Sequence, residues 1–239
     1  MTLPDAKTLY DVLEATWPAA TMHRAGPWMI REGAGGGKRV SAATVEADFT
    51  EADIASAEDE MQALGQDALF MLRPEDAALD QMLDQQGYRV IDPVDLYVLP
   101  VAALTQERLP LVTAFHIWPP LAIMPDLWAE GGIGPARIAV MNRVNVPKTA
   151  ILARQTDQPA GTAFVAIHDG IAMIHAIEVA PKLRRQGVGT KILRAAAEWA
   201  QDNGATHLSL AVTGANTGAN ALYASLGMTV VGHYHYRLK

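Results

Sequence analysis

Residues 171–202 constrain this chain more than any other stretch. Residues 171–179 read as a strand and residues 187–202 as a helix. Between them runs Ala180-Pro181-Lys182-Leu183-Arg184-Arg185-Gln186, a basic loop that enters the helix at Gly187-Val188-Gly189-Thr190. Backbone N–H groups at a helix start have no intrahelical partners and carry partial positive charge. Placed after a strand, beside glycines that let a ligand approach the main chain, they form a site for phosphate or pyrophosphate. Lys182, Arg184 and Arg185 add charge. Two nucleotide motifs fail on spacing. No G-x-x-x-x-G-K-[ST] run occurs, and Gly187-Val188-Gly189 is followed by Ile192 where a dinucleotide fingerprint needs a third glycine.

The remaining pattern is that of an α/β chain. Strands are predicted at 27–31, 39–45, 67–72, 88–100, 112–117, 149–155, 161–167, 171–179, 207–212 and 228–238. Helices are predicted at 5–17, 50–64, 74–86, 121–130, 135–144, 187–202 and 217–226. Asp169-Gly170 marks a hairpin. Val188, Ile192, Ala195, Ala196 and Trp199 form the apolar stripe of the 187–202 helix. Residues 101–110 read as a link, dividing the chain into units 1–108 and 109–239. The first unit holds 8 Lys/Arg against 19 Asp/Glu, a net of −11; the second holds 11 against 7, a net of +4. The basic unit suits a polyanionic small molecule, and the acidic one, if it faces the same cleft, favours a cationic co-substrate. A weak repeat links them: 67–100 and 206–238 both read strand, helix, Gly-Tyr or Gly-Met, strand.

The chain has no cysteine, which excludes disulfides, Cys-based metal sites and a thiolate nucleophile. The paired histidines 168/175 and 233/235 do not complete a metal-ligand spacing with a carboxylate, so no metal is expected. The N-terminus lacks the features of a signal peptide and no long apolar run occurs, so a cytoplasmic protein with neither membrane nor nucleic-acid partners is expected.

A second motif follows the loop. Asn216, Ala219, Leu222, Tyr223, Leu226, Gly227 and Met228 fit N-x-x-A-x-x-L-Y-x-x-L-G-(F/M). With Arg184-x-x-Gly187-x-Gly189 after Val179-Ala180-Pro181, the pair resembles the two signatures of the GNAT superfamily of acetyltransferases over roughly residues 111–239. The resemblance implies a central mixed, mostly antiparallel sheet flanked by helices, preceded here by a smaller, degenerate GNAT-like unit. It implies an N-acetyltransferase that moves an acetyl group from acetyl-CoA to a primary amine, on a small molecule or a peptide, by direct attack in a ternary complex. Backbone groups of Ile177 and Val179 would hold the pantetheine arm and acyl carbonyl. Arg184, Arg185, Gln186, Gly187, Val188, Gly189 and Thr190 would hold the pyrophosphate, and Asn216 would contact the pantetheine or nucleotide part. Tyr223 would protonate the leaving thiolate. His175 would be the base: alternation puts it on the face of Ile177 and Val179, and an ordinary imidazole pKa suits proton removal near neutrality. Trp118, Met124 and Trp128 would line or cover the acceptor site. The alternative is a non-catalytic acyl-CoA sensor. Either a monomer or a homodimer fits.

Overall fold

Asp169 and Gly170 take φ of +48° and +72°, the two left-handed residues that a tight hairpin requires. The strands they join are two of the eight in the main sheet. The computed structural model describes residues 2–239. In chain order it contains α1 (Ala6–Thr16), β1 (Thr21–Ala25), β2 (Trp28–Glu32), β3 (Thr44–Val45), α2 (Glu51–Ala63), β4 (Leu69–Leu72), α3 (Ala77–Gln85) and β5 (Arg89–Pro100). There follow β6 (Ala114–Ile117), α4 (Ile123–Glu130), α5 (Pro135–Arg143), β7 (Lys148–Gln155), β8 (Gln158–His168) and β9 (Ile171–Val179). The chain ends with α6 (Val188–Asp202), β10 (His207–Thr213), α7 (Thr217–Ser225) and β11 (Thr229–Leu238).

The main sheet has the order β4-β11-β5-β10-β9-β8-β7-β6, antiparallel throughout except for β9 beside β10. A small antiparallel sheet, β1-β2-β3, joins it through a parallel bridge between Ala43 and Phe70. One strand was not legible: β1, whose side chains are nearly all exposed. The strand predicted at 39–45 is instead a 3₁₀ turn at Lys38–Val40 followed by the two-residue β3.

Helices cover both faces. On one, α6 sets Val188, Ile192, Leu193, Ala195, Ala196 and Ala200 against Ile151, Ala163, Val165, Ala172 and Ile174. On the other, α1 sets Leu9, Val12 and Leu13 against Met173, Val94, Leu96 and Tyr234, while α4 and α5 pack over β7 and β8. The first half has its own core between the small sheet, α2 and α3, built on Trp28, Phe70 and Tyr88.

β5 belongs to the first half by sequence, yet it lies between β10 and β11 of the second. The pairing has a two-fold register. Tyr97 faces Val230; adding 140 to 97 and taking it from 230 gives Arg237 facing Val90, which is also a pair. The same operation turns Leu69 facing Leu238 into Ser209 facing Val98, and both occur. Its centre is the Val94–Tyr234 pair. By this correspondence Leu83 occupies the position of Tyr223, since Tyr88 N–H bonds Leu83 O as Met228 N–H bonds Tyr223 O.

The halves are also pinned by Arg237. Its Nε donates to Asp80 Oδ1 at 2.7 Å, and its Nη1 donates to Asp84 Oδ1 and to Tyr88 O, each at 2.7 Å. Asp80 also meets His235 at 2.9 Å, a carboxylate partner for that histidine supplied by α3. Arg237 is buried, so removing it leaves the Tyr88 carbonyl and two carboxylates short of a donor. Arg237→Ala is expected to cost about 3 kcal/mol in urea unfolding, with a single transition lowered for both halves together. Unchanged stability would show that these contacts do not couple them.

Candidate active site

β9 and β10 pair only over Ile171–Met173 and His207–Ser209. Beyond that they run apart, and residues 174–179 present an edge of backbone with no neighbouring strand on the β10 side. In a sheet interior such groups need partners from elsewhere. The opening thus created is a V-shaped cleft through the sheet.

β9 also carries a bulge. Thr162 faces Glu178 and Phe164 faces His175, so one residue of β8 opposes two of β9, Ala176 and Ile177. Ala176 takes a φ of +50°, a left-handed conformation uncommon for alanine. The indole Nε1 of Trp128, from α4, donates to Ala176 O at 2.8 Å and fixes this geometry. The bulge breaks the expected alternation. Ile174, Ile177 and Val179 face α6, whereas His175 and Ala176 both face the α1 side.

On the α6 side, Ile177 and Val179 join the cluster that contains Val188, Tyr223 and Tyr97. Gly187, at a φ of +80°, caps the start of α6, and Arg185 is left-handed at +62°. Gly189 faces α7: a Cβ there would lie 2.9 Å from Leu222 Cδ2. The loop charges do not all point outward. Arg184 turns back, donating from Nε to Val179 O at 3.0 Å and from Nη2 to Glu178 Oε1 at 2.8 Å. Gln186 Nε2 donates to Lys182 O at 3.2 Å. These side chains shape the loop, leaving the first-turn N–H groups of Val188, Gly189 and Thr190 without intrahelical partners. Asn216 caps α7, its Oδ1 accepting from Ala219 N–H at 3.2 Å. Asn220, which the motif does not single out, ties α7 to β10 by donating to Thr213 O at 3.1 Å.

Tyr223 is buried, with its ring 5.6 Å from that of Tyr97. Burial, then Tyr97, pushes its pKa up to about 12. Its hydroxyl therefore keeps its proton throughout the neutral range.

On the α1 side a cavity of about 250 Å³ opens at the mouth of the cleft, with Ala176 and Thr213 at its floor. Both halves wall it: Lys38 and Arg39 from the first, Ile133 and Arg137 from the second. His175 lines it too, although it is only 4% exposed. Thr16 Oγ1 donates to Val12 O at 2.6 Å and so accepts from His175 Nε2 at 2.9 Å. That places the imidazole proton on Nε2 and leaves the Nδ1 lone pair facing Arg39 Nη1 at 3.3 Å. Burial first, and Arg39 second, hold its pKa well below 6.5. Of the tryptophans and methionine expected here, Trp128 and Met124 are fully buried, and Trp118 packs on Phe164 beneath Lys148 Nζ. None of the three lines the cavity; Trp128 serves the site through Ala176.

The model of the GNAT acetyltransferase family matches residues 124–228. An uncharacterized N-acetyltransferase, YobR, of Bacillus subtilis is 26% identical over 99% of this chain and the whole of its own. A streptothricin acetyltransferase of Streptomyces lavendulae is 42% identical over a quarter of this chain and 31% of its own. Among solved structures, a GCN5-related N-acetyltransferase from Kribbella flavida superposes with a TM-score of 0.72 at 19% identity, covering 100% of this chain and 96% of that one. A tandem GNAT protein from the clavulanic acid biosynthesis pathway gives 0.60 at 15% identity, with 97% and 87% covered. The chain thus contains a GNAT acetyltransferase domain, matched over residues 124–228, and is similar along nearly its whole length to an N-acetyltransferase. No helix among the described residues is long and apolar enough to cross a membrane.

The buried His175 has a stability consequence. The unfolded chain protonates it near pH 6.5, whereas the folded chain holds it neutral to well below that. Below pH 6.5 the unfolded state therefore binds more protons, and stability falls as pH drops toward the folded pKa. His207, also lowered by burial, acts in the same direction. Thermal unfolding between pH 7 and 5 is expected to show a smaller loss of Tm for His175→Gln than for the wild type. Equal slopes would mean that His175 is charged in the folded protein.

Proposed function

We propose that the chain transfers an acetyl group from acetyl-CoA to a primary amine, the two substrates meeting through the cleft between β9 and β10. The observation that carries this reading is the division of the site by the sheet. The anion-binding start of α6 and Tyr223 lie on one face, and the cavity lies on the other. An amine in the cavity and a thioester against Ile177 and Val179 would approach each other across an opening one strand wide.

Acetyl-CoA supplies the activated carbonyl and a thiolate leaving group. The chain fits it in three places. The edge of β9 at Ile177 and Val179, which has no strand beside it on the β10 side, offers backbone groups to an extended amide-bearing arm. The first-turn N–H groups of α6, with Lys182 and Arg185 nearby, suit a pyrophosphate. Asn216 and Asn220 hold α7, and with it Tyr223, against the cleft. Tyr223 gives a hydrogen bond, and then its proton, to the departing sulfur. No protein nucleophile is needed, because the amine attacks directly.

We assign His175 a positioning role rather than that of the base. Its Nδ1 lone pair is engaged by a guanidinium, so accepting a proton there would set two cations side by side. The amine's proton goes to solvent through the cavity. The 140-residue correspondence and the likeness to a tandem GNAT protein support reading residues 1–108 as a second, degenerate unit. That unit has Leu83 where the other has Tyr223, and it donates β5 to the catalytic unit 109–239. The pairing that two copies of one unit could supply is then met within one chain.

With acetyl-CoA and an amine that turns over, Tyr223→Phe is expected to lower kcat by about 10²–10⁴-fold, with little change in acetyl-CoA affinity by calorimetry. Full turnover by the variant would remove Tyr223 as the acid.

A further inference from the structure

The cavity on the α1 side carries an unbalanced charge. Its charged walls are Lys38, Arg39, Asp92 and Arg137. Lys38 Nζ and Asp92 Oδ2 pair at 2.6 Å and cancel. Among the described residues, neither Arg39 nor Arg137 is paired with a carboxylate. Arg39 is half-buried, and the partners of its guanidinium are neutral: Tyr234 Oη at 3.3 Å and His175 Nδ1. Arg137 lies across the backbone of Gly37, where a Cβ would come 3.5 Å from its Nε and Nη2. The guanidinium from α5 thus lies in contact with the loop that carries Arg39.

A half-buried guanidinium held by neutral groups alone is costly unless an anion completes it. Arginine's planar fork is matched by a carboxylate, which takes two parallel N–H bonds. The same cavity reaches Ala176 and Thr213 at the cleft mouth, so a ligand filling it brings one end to the thioester side and the other to the arginines. We propose that the acceptor is a primary amine that also carries a carboxylate, and that Arg39 and Arg137 bind the carboxylate while the amine points to the cleft. This rests on the cavity being the acceptor side of an acetyltransferase. It reverses the cationic acceptor that the acidic first half suggests, because that half turns Lys38 and Arg39 toward the cleft, with Asp92 already paired. His175 is a positioning residue here, orienting Arg39 through Nδ1.

The test uses acceptor pairs that differ only in the carboxylate, such as lysine with cadaverine and 4-aminobutyrate with butylamine, with release of CoA thiol as readout. The wild type is expected to favour the carboxylate member in kcat/KM by at least about 10-fold, the worth of a charge-assisted hydrogen bond. In Arg137→Gln, a surface change that leaves the core intact, and in Arg39→Gln, that ratio is expected to fall toward 1 through KM. His175→Gln should weaken it in part. Calorimetric titration of the same compounds into the CoA-bound protein reads the discrimination without turnover. A ratio near 1 in the wild type, no binding of any carboxylate member, or variants that lose both members equally would each overturn the proposal. Turnover without carboxylate preference overturns it alone. Failure to bind acetyl-CoA overturns the transferase reading as well.

Discussion

The parting of β9 from β10 after three residue pairs is the constraint on which the rest of the site depends. A strand edge inside a sheet is unfavourable, since its N–H and C=O groups lose water without gaining protein partners. The structure keeps the two strands apart by holding each from its far side. β5 pairs with β10 along its whole length, from His207 to Thr213. β8 pairs with β9 out to Val179. The bulge at Ala176 then bends β9 where it leaves its neighbour, and Trp128 satisfies the carbonyl that the bend exposes. Sealing the cleft would require breaking one of these contacts.

That reliance on β5 gives the first half a structural share in the site. β5 separates β10 from β11, so deleting residues 1–100 would remove the middle of the sheet rather than an appendage. The two-fold register around Val94 and Tyr234 lies next to the cavity that both residues line. The symmetry is broken where chemistry is concerned. Leu83 matches Tyr223, and the short connection from Ala43 to α2 matches the basic loop between β9 and α6. The first half repeats the pairing positions of the second and has no counterpart of the groups proposed to act on the acyl donor.

What the sequence made legible was local. Both motifs lie within continuous stretches whose spacing is set by one loop or one helix, and the Asp169-Gly170 turn follows from backbone preferences alone. Features that depend on distant partners were hidden. The bulge at Ala176 leaves no mark in an alternating apolar strand, so the face of His175 was misread by one residue. His235 looked isolated because its carboxylate, Asp80, lies 155 positions away on α3. The glycine run at 33–37 takes its use from another element. Its use became visible only when α5 placed Val140 against Gly36 and Arg137 against Gly37.

The charge asymmetry shows why a net value misleads about a site. Most of the acidic residues behind the first half's −11 lie on outward surfaces of α2, α3 and their flanking loops, where solvent screens them within about 10 Å at 0.1 M salt. A ligand in the cavity meets Arg39 and Arg137 at contact distance, and the half-buried Arg39 in a drier medium, where an interaction is several-fold stronger than across water. Two nearby guanidinium groups therefore outweigh a larger number of remote carboxylates. The same reasoning explains why Arg184, the charged residue that spacing singles out in the basic loop before α6, contributes little charge there: Glu178 neutralises it. The sign of a binding site is set by which charges remain unpaired at its walls, and pairing is a property of the fold.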